Sequence, residues 1–84
     1  MELRGYRIEP DEIMSVLNEQ LAVRMSLVIA REDTPGDKRL VAYVVPVPGA
    51  HITAGFLREM LVKRLPDYMV PATFVLLEAL PVIG

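Results

Sequence analysis

Few residues of this sequence have the types and spacing that catalysis requires. The chain has one histidine, His51, in a segment rich in proline and glycine, and it has no cysteine. Ser15 lies in a stretch with helical periodicity and Ser26 in a β-prone stretch, so we expect both serines to be structural. A nucleophilic serine needs a base within hydrogen-bond reach. The sequence therefore predicts no catalytic residue, and no spacing of His, Asp and Glu resembles a metal site.

Motifs for binding nucleotides or nucleic acids are also missing from the sequence. The five glycines are scattered and form neither GxxxxGK[ST] nor GxGxxG, the loops that cradle phosphates. The formal net charge is −2, whereas a protein that binds the phosphate backbone normally has a basic surplus. RNA-recognition modules stack bases on aromatic strand residues, and the corresponding strand offers only Tyr43. We expect no nucleic acid partner, and we expect that this chain alone does not hold ATP.

Three segments remain as candidate functional sites. Residues 4–9, Arg-Gly-Tyr-Arg-Ile-Glu, contain a glycine beside which another backbone can come close. Residues 33–39 carry Pro35-Gly36 in a charged run, which is typical of a type II turn. Residues 65–71, Leu-Pro-Asp-Tyr-Met-Val-Pro, are stiffened by two prolines. Each segment also has a structural interpretation, respectively as a β-bulge, a solvated hairpin loop and a stabilising device.

The elements that must position these segments follow the order strand, helix, strand, strand, helix, strand. Hydrophobic periodicity predicts four strands, over residues 3–8, 23–30, 40–45 and 73–78. It also predicts two helices, which begin at Pro10 and after a cap at Thr53. The first strand contains a kink at its glycine, and the two central strands form an antiparallel hairpin. The predicted fold class is α+β, a small antiparallel sheet packed with two helices.

Composition limits the size and the setting of the protein. The 84 residues form one small domain, and a hydrophobic content of 52% suggests that one face packs on something outside the chain. A chain without cysteine is not a disulfide-stapled secreted scaffold. No apolar run is long enough to span a bilayer, and the N-terminus does not have the pattern of a signal peptide. We therefore expect a cytoplasmic protein that does not interact with a membrane.

Taken in their order, the three segments resemble the C-terminal subdomain of adenylate-forming, AMP-binding enzymes, specifically the adenylation domains of nonribosomal peptide synthetases. Residues 4–9 and the following Glu12-Ile13 are similar to the motif after that family's hinge. Residues 35–44 resemble its hairpin, and residues 65–71 resemble its next core motif. The resemblance implies that residues 1–84 are a single lid subdomain, truncated before the loop with the family's catalytic lysine, because Leu80-Pro81-Val82 fit that loop and Ile83-Gly84 depart from it.

The resemblance also implies a mechanism. In that family the lid rotates over a large N-terminal AMP-binding domain, first for adenylation of an amino acid and then for thioester formation on the phosphopantetheine arm of a carrier protein. That domain and the carrier protein are the implied partners. ATP, Mg²⁺ and phosphopantetheine are implied for the complete enzyme and none of them for this chain alone. Two sites are implied: a pantetheine-facing loop of Arg4, Gly5, Tyr6 and Arg7, with Gly5 nearest the channel, and an interdomain docking segment with Tyr68, Met69 and Pro71.

Two other interpretations remain open at this point. The chain can be a free-standing, non-catalytic module that binds a carrier protein or a synthetase large domain. It can also form a homodimer that buries the apolar face left bare. In the lid interpretation the chain is not catalytic on its own, because the N-terminal ATP-binding domain and the catalytic lysine are absent.

Overall fold

The protein combines two small sheets with two helices in the part of the chain that its structure, a computed structural model, describes. That part is residues 2–3 and 5–79. The elements are β1 Glu2–Leu3, β2 Tyr6–Arg7, α1 Pro10–Asn18, β3 Val23–Thr34, β4 Asp37–Pro46, α2 Ala54–Arg64, a 3₁₀ turn Asp67–Met69 and β5 Thr73–Leu76. The predicted α+β class with two helices is confirmed. Arg4 and the predicted departure at Ile83-Gly84 lie outside the described residues.

The first predicted strand is a hairpin of two very short strands. Leu3 pairs with Tyr6 and Glu2 with Arg7 in an antiparallel ladder. Gly5 has φ +82°, a left-handed conformation that glycine adopts without steric cost. The prediction of one kinked strand was therefore wrong, because the glycine reverses the chain where a bulge would only bend it.

The central hairpin is longer than predicted. Strands β3 and β4 pair antiparallel, as expected, but their pairing continues to Thr34 and Asp37. The chain reverses through Pro35-Gly36, and Gly36 has φ +82°, as a type II turn requires at its second corner. The polar run around this turn is thus an exposed two-stranded ribbon and not the loop that its composition suggested.

The last strand runs parallel to its neighbour. The three-stranded sheet has the order β3-β4-β5, and Val41 to Val44 of β4 pair in parallel with Thr73 to Leu76 of β5. A parallel pair needs a long crossover connection, usually a helix, and α2 provides it here. The expectation of a purely antiparallel sheet was therefore wrong in this detail.

The helices begin where the sequence signals placed them. Pro10 occupies the first turn of α1, and Asp11 and Glu12 lie beside it, where carboxylates interact favourably with the helix dipole. At the start of α2, the Thr53 hydroxyl oxygen accepts a hydrogen bond from the Phe56 N–H at 3.1 Å. This cap satisfies one of the free N–H groups of the first turn.

One face of the three-stranded sheet forms the core with the helices. Leu40, Ala42 and Val44 of β4 belong to a buried cluster with residues of both helices, such as Leu17 and Leu57. No buried side chain in the described part of the chain is polar or charged. Burial of apolar surface therefore provides the main driving force for folding.

The opposite face of this sheet is also apolar, and its buried residues lie outside the core cluster. Val41 and Val45 are buried but do not belong to that cluster, because successive strand residues point to opposite faces. Met25, paired with Val45, is 39% exposed. An apolar face of this kind is what the high hydrophobic content of the sequence predicted. The homodimer suggested on those grounds stays a prediction.

An ion pair links the ends of the two helices. The Arg64 guanidinium donates two hydrogen bonds, of 2.9 and 3.1 Å, to the two carboxylate oxygens of Glu19. This bidentate geometry is the favourable one for arginine and a carboxylate. The hydrogen bonds and charge of Arg64 lower the pKa of the Glu19 carboxyl below its ordinary value.

We predict that Gly36→Ala destabilises the protein while Gly55→Ala does not. An alanine at φ +82° costs about 1–2 kcal/mol. At Gly55, in the first turn of α2, an added Cβ meets only the Thr53 hydroxyl oxygen at 3.9 Å, an ordinary contact. Urea denaturation of the two variants measures the difference. Equal stabilities would contradict the assigned turn conformation.

We predict that Arg64→Gln lowers stability more than Lys63→Gln at neutral pH and low salt. Both substitutions remove a positive charge from the last turn of α2, but only Arg64 pairs with Glu19. Since the folded-state pKa of Glu19 is depressed, the extra stability is present above the ordinary carboxyl pKa and is lost as the pH falls through the depressed value. Denaturation of both variants from neutral pH down through that acidic range measures the difference in their free energies of unfolding. A difference that does not change with pH would contradict the pairing of Arg64 with Glu19.

Candidate docking site

Two of the predicted site segments meet in the folded chain. The rings of Tyr6, from the first hairpin, and Tyr68, from the proline-bracketed segment, are stacked with centroids 4.3 Å apart and an interplanar angle of 11°. Both side chains are about half exposed, at 50% and 41%. The stack therefore joins segments far apart in sequence into one surface feature, which we call the tyrosine stack.

The first hairpin has a buried base and an open turn. Leu3 and Ile8 belong to the core cluster, and the other described residues of the hairpin are exposed. Apart from its chain neighbours, no atom of the described residues lies within 4 Å of an ideal Cβ on Gly5, so these residues leave the space beside the turn free. Arg7 is exposed and lies 3.5 Å from a Glu9 carboxylate oxygen. Of the loop residues predicted, Gly5, Tyr6 and Arg7 are thus surface residues, and Arg4 is not described.

The segment 65–71 is anchored by residues on both sides of its tyrosine. Leu65, Met69 and Pro71 are buried, with Met69 6% exposed. The Met69 N–H donates to the Pro66 carbonyl oxygen at 2.9 Å, which closes one 3₁₀ turn. Only Tyr68 of the three predicted docking residues reaches the surface. Met69 and Pro71 have their contacts within the chain, so any part that they take in docking is through the placement of Tyr68.

A shallow cleft of about 180 Å³ lies beside the tyrosine stack. Its polar lining comes from Lys38 and Arg39 at the start of β4 and from Asp67 of the 3₁₀ turn. A hydrogen bond from Arg39 to Asp37 at 3.0 Å raises the pKa of the arginine further above its ordinary value. The cleft thus carries charged groups of both signs beside two aromatic rings, and Arg39 is paired with Asp37.

Sequence reasoning did not assign Lys38 and Arg39 to this site. Their position follows from the pairing of β4 with β5, since the Ala72 N–H donates to the Leu40 carbonyl oxygen at 3.0 Å and draws the segment 65–71 against this strand. The parallel pairing that causes this approach was not predicted. Lys38 and Arg39 could therefore have been assigned to this site only with the correct sheet topology.

The residues considered for catalysis are dispersed. His51 and Ser15 are exposed, in a loop and on α1 respectively, and the Ser26 hydroxyl donates to the Asn18 side-chain oxygen at 2.9 Å. Among residues 2–3 and 5–79, no three His, Cys, Asp or Glu side chains are grouped so as to hold a metal ion. Within the part of the chain that the structure describes, the folding thus does not bring these candidate residues together.

Neither helix is long and apolar enough to cross a membrane, within the residues that the structure describes.

Comparison with curated proteins gives similar segments in very long synthetases. The chain is 52% identical over 82 residues to isonitrile lipopeptide synthase of Mycobacterium tuberculosis. It is 49% identical over 81 residues to dimodular nonribosomal peptide synthase of Bacillus subtilis. Each alignment covers 96% of this chain but only 3% of the relative. The chain thus spans a few per cent of the length of these relatives.

Solved structures share the fold. A structure of holo-AB3403, a four-domain nonribosomal peptide synthetase bound to AMP and glycine, superposes with a TM-score of 0.86 and 33% identity, covering 98% of this chain and 6% of that one. The crystal structure of IdnL1 gives a TM-score of 0.85 and 30% identity, over 96% of this chain and 16% of that one.

The family assignment rests on most of the chain. The sequence profile described as the AMP-binding enzyme C-terminal domain matches residues 12–83, which include most of α1, the ribbon, α2 and the segment 65–71. Two of the three resembling segments, residues 35–44 and 65–71, lie within this match, and residues 4–9 precede it. The chain belongs to the family of AMP-binding enzyme C-terminal domains.

Proposed function

We propose that this chain is the lid subdomain of an amino-acid-activating, adenylate-forming ligase of nonribosomal peptide synthesis. The observation that carries the proposal is the match of residues 12–83 to the family, together with relatives that are synthetases. In the proposed role the lid turns over an N-terminal AMP-binding domain and presents its first hairpin to the phosphopantetheine arm of a carrier protein.

The geometry of the first hairpin supports this role. A turn that enters a channel must project from the surface and must keep a fixed position relative to the rest of the lid. The Gly5 turn has open space around it, while Leu3 and Ile8 hold the hairpin base in the core. Gly5 is the residue that we place nearest to the arm, because a glycine at this point leaves the channel its full width.

The described residues do not fit ATP or Mg²⁺. They contain no buried polar or charged side chain and no group of metal-ligating residues, whereas a Mg²⁺–nucleotide site needs carboxylate oxygens and phosphate-binding N–H groups. We derive no chemical step through these groups. In the proposed ligase their binding belongs to the N-terminal domain, and this chain contributes closure, which excludes water from a reactive acyl adenylate.

We predict that this chain can replace the matching segment of the dimodular synthase of Bacillus subtilis, to which it is 49% identical over 81 residues. In the graft, carrier loading by the affected module should stay within about tenfold of the parent, a difference of about 1.4 kcal/mol in transition-state free energy. Mass spectrometry of the carrier thioester measures loading, and a deletion of the segment is the control. A graft that loads no better than the deletion would contradict the proposal.

We predict that Gly5→Asn in this graft slows carrier loading by about 100-fold, the scale of a small misplacement at a reaction centre, and leaves adenylate formation unchanged. Asparagine tolerates positive φ, so it adds a side chain to the turn with little backbone strain. Gly36→Asn is the matched control, because Gly36 has the same φ of +82° but lies at the tip of the ribbon. Equal losses in both variants would count against the role of the Gly5 turn.

A further inference from the structure

The first hairpin needs support beyond its own hydrogen bonds. Each of its strands has two residues, and a two-stranded hairpin of any length is only marginally stable in water. Leu3 and Ile8 fix its base in the core. The turn with Gly5 lies further out, and the side chain next to it, Tyr6, is half exposed. The position of the turn therefore depends on what Tyr6 contacts.

Tyr6 contacts a ring that is itself rigidly held. Tyr68 is the middle residue of the 3₁₀ turn Asp67–Met69, and Met69 and Pro71 after it are buried. The Val70 N–H donates to the Asp67 carbonyl oxygen at 3.2 Å, and the hydrogen bond between Ala72 and Leu40 fixes the far end of the segment to β4. Tyr68 is thus a fixed platform, and the stacked ring of Tyr6 is the partner that it restrains.

The tyrosine stack does not belong to the core. Neither Tyr6 nor Tyr68 is a member of the buried cluster, and both are more than 40% exposed. A ring lost from such a pair leaves no internal cavity. Stacked aromatic rings still attract each other beyond the area that they bury, so the stack restrains the hairpin without being needed for folding.

We propose that Tyr68 is a positioning residue that holds the Gly5 turn in place through Tyr6. This inference rests on the proposed function, in which the turn meets the phosphopantetheine arm. Tyr68 then acts on thioester formation through Tyr6 and not as a contact with the arm. The aromatic ring carries the effect, and the hydroxyl does not.

Hydrogen exchange on the 84-residue chain tests the structural half of the inference. We expect Tyr68→Leu to speed exchange of the amides of residues 5–7 about three- to tenfold, the scale that one aromatic pair supports. Tyr68→Phe should exchange like the original chain, and amides of β3 and β4, which report global stability, should not change. Phe56→Leu is the matched control, because it removes a 47% exposed ring from α2, and it should leave exchange of residues 5–7 unchanged.

A double substitution identifies the partner of Tyr68. If Tyr68 acts through Tyr6, Tyr6→Leu should speed the same amides, and the combined variant should show no further increase. Additive effects would overturn the proposal, as would unchanged exchange in Tyr68→Leu.

The graft into the Bacillus subtilis synthase tests the functional half. Tyr68→Leu should slow carrier loading about three- to tenfold with adenylate formation unchanged, and Tyr68→Phe should restore the original rate. Unchanged loading in Tyr68→Leu, with faster hairpin exchange, would overturn the positioning role. A graft that loads no carrier even without substitutions would instead contradict the proposed function, and the exchange experiment would then decide alone whether the stack holds the turn.

Discussion

A hairpin with two residues in each strand cannot keep its turn in place by hydrogen bonds alone. The stabilisation from so short a ladder does not offset the conformational entropy that is lost when the hairpin forms. The position of the Gly5 turn therefore depends on Leu3 and Ile8 at its base and on the stacking of Tyr6 against Tyr68. The second contact connects the hairpin to the segment 65–71, and the pairing of β5 with β4 fixes that segment. The site at the surface is in this way a consequence of the sheet topology.

Local signals in the sequence were sufficient for the helices and for the α+β class. Pro10 and Thr53 mark helix starts because each satisfies or removes N–H groups that the first turn leaves unpaired, and this chemistry does not depend on the rest of the fold. The turn at Pro35-Gly36 was also predictable from local residue types, because proline suits the first corner of a type II turn and glycine the second. The candidate site was predictable only as separate segments, through their resemblance to a family.

Apart from the first hairpin, where Gly5 reverses the chain locally, the errors concern features that distant residues decide. The charged run around Pro35-Gly36 was interpreted as a loop, but backbone pairing in an exposed ribbon tolerates charged side chains on both strands. The direction of β5 depends on how α2 crosses the sheet, and no residue of β5 itself encodes it. The contact of Tyr6 with Tyr68 follows from that crossing, so neither the tyrosine stack nor the place of Lys38 beside it could be derived from spacing along the chain.

Two glycines with the same φ of +82° show what distinguishes a turn suited to a partner from a turn that only connects strands. Gly36 ends a ribbon in which residues 31–34 and 38–39 are exposed, so its tip lies away from the core. Gly5 ends a hairpin whose base is buried and whose neighbouring ring is stacked on a proline-bracketed segment. The φ angle is the same at both turns, but only the Gly5 turn has a buried base and a stacked ring close beside it to fix its orientation. A lid that must present one turn to another molecule needs that fixed orientation, because each degree of freedom left in the turn has to be lost when the molecule binds.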